Sequence, residues 1–263
     1  MPRARAADAM SGYDDFARFF KHWAGRLGTE EIGFYVRRAC ETSGRVMELG
    51  VGTGRVAIPI AQKGIEVVGI DNSPEMLKVA ANEASAANVQ DRVRLVEADM
   101  RAYVAEPSVE LAYIPNHTFM HMLTIDDQLA CLDAIHRSLI PGGRIAFSMF
   151  VPDPARMVRT DGERVKVTDF VDERGRRCEL WSEDHFFVVD QRFDLIAIFV
   201  AHEGEDVVDR VEVSLELHMF VPNEVEHLLA RAGFEVEAVY GWFDERPLDE
   251  TCREMIWVAK TPG

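Results

Sequence analysis

The stretch Glu48-Leu49-Gly50-Val51-Gly52-Thr53-Gly54-Arg55 decides how this chain is to be read. It follows a short apolar run, Arg45 to Leu49, and opens a helix-like stretch, Arg55 to Lys63, that stops at Gly64. Pro59 fits there only within the first turn or so of a helix. Strand, glycine-rich turn and helix in that order let the backbone approach a ligand closely beside a helix N-terminus. A dinucleotide fingerprint, G-x-G-x-x-G, begun at Gly50 would need glycine at position 55, where arginine stands, so a redox dinucleotide is disfavoured. Glu48, just ahead of the turn, suits an ammonium group better than a pyrophosphate, whether it meets it directly or through water.

Working outward, Glu66 to Ile70 is a second β-branched run, and it ends at Asp71, where a carboxylate can take both hydroxyls of a ribose. Asn72 follows, and Ser73-Pro74-Glu75 supplies an N-cap hydroxyl, a proline at the first helical position and an acid facing the helix dipole. A helix through about Val89 carries Met76, Leu77 and Ala80 on one face. The third strand, Val93 to Val96, leads to Glu97-Ala98-Asp99-Met100. Asp99 is placed to accept from an exocyclic adenine amine while Met100 packs on the ring. Three acids at three successive strand ends describe an adenosyl ligand without phosphate.

Glu110 to Ile114 reads as a fourth strand, about Asp126 to Leu139 as a helix, and Arg144 to Phe150 as a fifth strand after the Pro141-Gly142-Gly143 turn. Five strands with intervening helices predict a parallel sheet covered on both faces. From Gly162 to Met219 the period changes to alternation, with strand-like runs at Arg164 to Val171, Glu179 to Val189, Arg192 to His202 and Val207 to Phe220. Pro222 to Ala232 reads as a helix, and Glu235 to Tyr240 and Met255 to Ala259 return to strand composition. The expected organisation is a mainly helical N-terminal cap over 1–44, a ligand-binding α/β domain over 45–150 and 221–263, and an antiparallel β insert over 151–220. The insert serves as a substrate lid or an association surface.

Composition narrows the partners. The 263 residues are 48% hydrophobic and 28% charged, enough for a large buried core. Lysine and arginine number 29 against 45 acids, a net charge of −16 that repels phosphate backbones and anionic lipid headgroups. Nucleic acid and membrane partners are therefore not expected. The longest apolar runs, such as Leu195 to Ala201, fall far short of the roughly 20 residues of a membrane span, and the first residues lack a signal-peptide core, so a cytoplasmic location is expected. Cys40, Cys131, Cys178 and Cys252 form no CxxC pair and are expected as reduced, buried thiols.

The ordered set Glu48 to Gly54, Asp71, Asp99-Met100 and Pro141-Gly142-Gly143 resembles the class I S-adenosylmethionine-dependent methyltransferases. The resemblance covers about residues 45–150 and 222–260. It implies a Rossmann-like seven-stranded sheet with helices on both faces, here with an antiparallel β insert. S-adenosylmethionine is the implied cofactor, held by Tyr13, Glu48, Gly50, Gly52, Thr53, Gly54, Asp71, Asn72, Met76, Asp99, Met100 and Pro115. Tyr13-Asp14-Asp15-Phe16, Ile114-Pro115-Asn116-His117-Thr118-Phe119 and the long insert are similar to the small-molecule N-methyltransferases that tailor amino sugars and antibiotics. The family's DNA amino-methyltransferases carry an Asp/Asn-Pro-Pro-aromatic motif at the end of the fourth strand, where this chain has Pro115-Asn116-His117.

Methyl transfer from a sulfonium is an in-line displacement, so orientation and exclusion of water are most of the protein's task. An amine acceptor must first lose its proton, and Tyr13, His117 and His121 are the candidates for that role. Phe119 reads either as an acceptor wall or as core. His117 and His121, spaced i and i+4, would share one face of a helix, yet no third ligand follows and no metal is expected. Glu183, Asp184 and His185 read as acceptor contacts or as a solvated strand face. The insert's apolar face must be covered by the mouth of the site or by a second copy, which makes self-association an expectation. A small-molecule O-methyltransferase and a non-catalytic S-adenosylmethionine-binding protein are the alternative functions.

Overall fold

A computed structural model describes residues 28–172 and 174–263. Helix α1 is Glu30–Cys40, followed by β1 (Val46–Leu49), α2 (Ala57–Ala61), β2 (Val67–Asp71), α3 (Pro74–Ala86), β3 (Val93–Glu97) and β4 (Val109–Ile114). A 3-10 turn (Thr118–His121), α4 (Ile125–Ser138), β5 (Leu139–Phe150) and α5 (Pro154–Thr160) lead into the insert. The insert holds β6 (Arg164–Val171), β7 (Arg177–Phe187), β8 (Arg192–Glu203) and β9 (Asp206–His218). The chain closes with α6 (Pro222–Arg231), β10 (Glu235–Tyr240) and β11 (Glu254–Lys260).

The main sheet has seven strands in the order β10-β11-β5-β4-β1-β2-β3, and the insert is a separate sheet in the order β6-β7-β8-β9. From β5 through β4, β1 and β2 to β3 each strand pairs in parallel with the next, while β11 runs antiparallel to both its neighbours. This is the seven-stranded α/β arrangement that the family resemblance implied. β1 is buried at all four positions, as the central strand of a sheet covered on both faces should be. Its period of two sends Val46 into an apolar layer with Phe34 and Tyr35 of α1, and Met47 and Leu49 into the opposite layer with Leu132 and Ile135 of α4.

Parallel strands point their C-terminal ends to one edge, so Leu49 to Gly54, Asp71, Asp99 and Pro115 are gathered along it. The register Glu254↔Phe150 brings the first residue of antiparallel β11 to that same edge.

Several boundaries differ from expectation. β5 begins at Leu139, because Pro141-Gly142-Gly143 lies in an irregularity between the pairs Val109↔Leu139 and Leu111↔Arg144 rather than before the strand. α5 was not foreseen. Its seven residues are too few to show a period, although the Asp153 side chain accepts from the N–H groups of Ala155 and Arg156 and proline stands at the start.

The insert's apolar face is covered by its own chain. Leu180, Phe193, Phe199, Val213 and Leu215 belong to the same core as Phe119 and Phe147, and the Phe193 ring lies 5.4 Å from that of Phe150. The argument for self-association from an uncovered face is thereby removed. Cys131, Cys178 and Cys252 are buried as expected, whereas Cys40, the last residue of α1, is exposed, and all four thiols are free. No helix among the described residues is long and apolar enough to cross a membrane.

Candidate active site

The glycine loop is narrow for reasons of backbone geometry. Gly50, Gly52 and Gly54 have φ of 69°, 52° and 81°, a region costly for residues with a Cβ. A Cβ on Gly50 would stand 2.5 Å from Cγ2 of Thr118. Asp71 clamps this loop to the end of β2: one carboxylate oxygen accepts from Gly52 N–H at 2.8 Å and the other from Ser73 N–H at 2.9 Å. Ser73 caps α3 by accepting from Met76 N–H, as its sequence signature predicted. Thr53 is half-buried in the loop and Asn72 is exposed beside Asp71.

Glu48, ahead of the loop, is buried: its carboxyl, 2% exposed, accepts from the Tyr113 hydroxyl at 2.9 Å. Burial raises it to about 8, more than the Tyr113 hydrogen bond and the Arg55 charge lower it. Burial thus keeps it protonated at pH 7, against Tyr113 of β4. A carboxyl that stays protonated in the fold but ionises in the unfolded chain favours folding most below about 4.5, and that contribution is lost as pH rises toward 8. Glu48→Gln, which keeps an acceptor for Tyr113, should flatten the fall in melting temperature between pH 5 and 8. Parallel thermal-unfolding curves for parent and variant across that range would contradict the assignment.

Asp99 is half-buried, and its carboxylate is gripped by Arg101, whose Nε lies 3.0 Å from each oxygen. Met100 is half-buried beside it. Pro115 is buried at the end of β4, and its carbonyl accepts from the Thr118 hydroxyl at 2.8 Å.

His117 occupies the left-handed region, φ 60°, at the head of the 3-10 turn. Its Nε2 lies 2.9 and 3.0 Å from the two oxygens of Glu254, and its ring packs 4.4 Å from that of Phe150. Burial lowers its pKa, but the charge and hydrogen bond of Glu254 raise it further, leaving it above the ordinary histidine value. With Nε2–H directed at a carboxylate, Nδ1 is the nitrogen that can accept a proton.

Three expected site residues stand elsewhere. Phe119 is 1% exposed and stacks between Phe147 and Phe220, so it is core rather than an acceptor wall. Met76 is 1% exposed in the same core. His121 does not share a helix face with His117, because His117 precedes a short 3-10 turn and is not on a helix. Burial holds His121 neutral, down to about 4, with a backbone hydrogen bond to Glu216 opposing that shift. Tyr13 lies outside the described residues. Among the described residues no cluster of three metal-ligating side chains occurs. In the insert, Asp184 is 3% exposed and bound by Arg156 at 2.6 Å, not on a solvated strand face.

A cavity of about 310 Å³ opens beside His117, lined by Gly28, Glu30, Glu31, Trp242, Phe243 and Glu254. Glu30 accepts from the Trp242 indole N–H at 2.7 Å. Glu31, 1% exposed, pairs with Arg55 and accepts from Asn116 N–H at 2.7 Å, tying the glycine loop to the end of β4. Nη1 of Arg55 is buried with no hydrogen-bond partner among the described residues. None of Glu31, Trp242 and Glu254 carried a local motif, and only the tertiary structure brings them here.

The loop that only glycine can follow, the acid at the end of β2 and the buried Nη1 of Arg55, whose Nη2 pairs with Glu31, suit an adenosyl amino acid: Asp71 would hold its sugar hydroxyls, and the unpartnered Nη1 is a donor suited to its carboxylate. Residues 46–143 match the family model described as a methyltransferase domain. Over 220 residues the chain is 26% identical to a cypemycin N-terminal methyltransferase from Streptomyces sp, covering 82% of each chain. Its fold superposes on the CcbJ methyltransferase from Streptomyces caelestis with a TM-score of 0.81 at 23% identity, over 96% of this chain and 98% of that one. The sugar N-methyltransferase KedS8 from Streptoalloteichus sp ATCC 53650 gives a TM-score of 0.68 at 16% identity, over 97% and 88%. These similarities support an S-adenosylmethionine-dependent methyltransferase enzyme with S-adenosylmethionine as its cofactor.

Asp71→Ala removes the loop clamp together with the carboxylate expected to hold the sugar hydroxyls. Its affinity for S-adenosylhomocysteine should fall about 30-fold by calorimetric titration, the equivalent of two hydrogen bonds of about 1 kcal/mol each. Unchanged affinity would remove Asp71 from the cofactor site.

Proposed function

We propose that the methyl group goes to a nitrogen of a small-molecule acceptor bound in the cavity beside His117. The cavity carries this reading: three carboxyl groups line it, Glu30 beside the Arg55-paired Glu31 and the His117-paired Glu254, together with the aromatic residues Trp242 and Phe243, a lining suited to a protonated amine. A protonated amine is the acceptor that such a lining concentrates. The amine must shed its proton before its lone pair can attack, and His117 Nδ1, backed by Glu254, is the group that takes it. S-adenosylmethionine supplies an activated methyl group on a good leaving group. The chain's own work is to hold that donor with Gly50, Gly52, Thr53, Gly54, Asp71 and Asp99, to present the amine, and to exclude water. The names of the cypemycin N-terminal and sugar N-methyltransferase relatives agree with a nitrogen acceptor. The four free thiols suit a cytoplasmic setting.

The test is methyl transfer to a panel of amino sugars, amino-terminal peptides, catechols and sugar alcohols, with the products resolved by mass spectrometry. N-methyl products that persist in the presence of a chelator are expected. Methylation confined to hydroxyls, or lost with the chelator, would replace this reading by a metal-assisted O-methyltransferase. Binding of S-adenosylhomocysteine without turnover on any probe would favour a non-catalytic role.

A further inference from the structure

We propose that Arg101 is a positioning residue that makes the cofactor site select adenine. Arg101 joins two carboxylates from different elements. Its Nε stands 3.0 Å from each oxygen of Asp99, its Nη2 2.5 Å from Oδ2, and its backbone N–H donates to Oδ1 at 2.8 Å. Its remaining arm, Nη1, donates to Asp127 Oδ1 at 2.6 Å. Asp127 is itself fixed in the first turn of α4, where its other oxygen accepts from the Thr124 hydroxyl at 2.7 Å and its N–H donates back to Thr124 at 3.1 Å. The chain Thr124-Asp127-Arg101-Asp99 therefore anchors the end of β3 to the start of the helix that follows the His117 turn.

A carboxylate beyond a strand end can rotate about two bonds, and ordering it has an entropic cost at the moment of binding. The planar guanidinium removes that freedom in advance, because only one carboxylate plane satisfies its fork. It also keeps Asp99 ionised: the Arg101 hydrogen bond holds the acid below the usual aspartate range. An ionised carboxylate can only accept. It suits the exocyclic amine of adenine and opposes the 6-oxo group of hypoxanthine. The Asp99 side chain remains 39% exposed, so Arg101 leaves one side of the carboxylate open to a base.

This inference rests on the assignment of Asp99 to adenine, and the two are separable by calorimetric titration of the full chain with S-adenosylhomocysteine and S-inosylhomocysteine. Asp99→Asn tests the assignment: its amide can present a donor to hypoxanthine, and the preference for the adenosyl compound should shrink or reverse. Unchanged affinity for both ligands would overturn the assignment itself. With that assignment standing, Arg101→Met should weaken S-adenosylhomocysteine about tenfold and S-inosylhomocysteine less than about twofold, collapsing the preference. Arg101→Lys, a point charge without the fork, should recover only part of it. Equal losses for the two ligands, or no loss, would overturn the proposal, because a merely structural arginine moves both affinities together. If Arg101→Met does not fold, Asp127→Asn, which loosens the anchor and leaves the Arg101-Asp99 contact in place, is judged by the same ratio.

Discussion

Gly50→Ala should lose at least about 100-fold in affinity for S-adenosylhomocysteine. Two effects add. The residue sits at φ 69°, where a side chain costs about 1–2 kcal/mol, and its Cβ would lie 2.5 Å from Thr118 Cγ2. Thr118 cannot swing aside cheaply, because its hydroxyl donates to the Pro115 carbonyl at 2.8 Å and its neighbour His117 is bound to Glu254. The loop must instead retreat into the space that the cofactor needs. Gly64→Ala is the control: it carries the same strain, φ 88°, at a helix end with nothing within 4 Å. It should lower the melting temperature while leaving affinity intact. A Gly50→Ala protein that binds within about threefold of the parent would show that the loop is not the cofactor cradle.

The second large effect concerns the His117-Glu254 pair. His117→Ala should lower kcat for an amine acceptor about 100-fold, the low end of general-base effects because the sulfonium is already a good leaving group, with S-adenosylhomocysteine affinity unchanged. Glu254→Gln is the more informative variant. Glu254 raises the His117 pKa above about 6.5, so the rate limb reporting loss of that proton should lie above this value in the parent and move to lower pH in the variant. The stability linkage has the same sign. The charged pair contributes fully below about 6.5 and is lost as pH rises through the raised value, so the variant's deficit in melting temperature should be largest at acid pH. A pH-rate profile that does not move would leave His117 a packing residue against Phe150.

The cofactor half of the site was legible because each of its parts is local. The glycines need positive φ, Ser73 and Pro74 announce a helix start, and Asp71 and Asp99 follow apolar runs directly. The acceptor half was not. Glu254 reaches His117 across 137 positions, through the pairing of antiparallel β11 with β5, and Glu31 reaches Asn116 across 85. No spacing rule connects such residues. Phe119 was open to two interpretations, and Met76 was expected at the cofactor, for a related reason. An apolar side chain near a site has the same composition whether it faces ligand or core, and only packing against Phe147 and Phe220 settles Phe119.

Glu48 shows where the division falls. The sequence by itself determined that an acid precedes the glycine turn, that the chain forms a mainly parallel α/β sheet, and that an antiparallel insert interrupts it, because hydrophobic period and turn chemistry are properties of neighbouring residues. Only the tertiary structure decided that this acid is buried and neutral against Tyr113, that Arg101 grips Asp99, and that the insert's apolar face is covered from within. Burial, and with it charge state and partner, depends on which distant strands arrive alongside, and that is a property of the assembled sheet rather than of any stretch of chain.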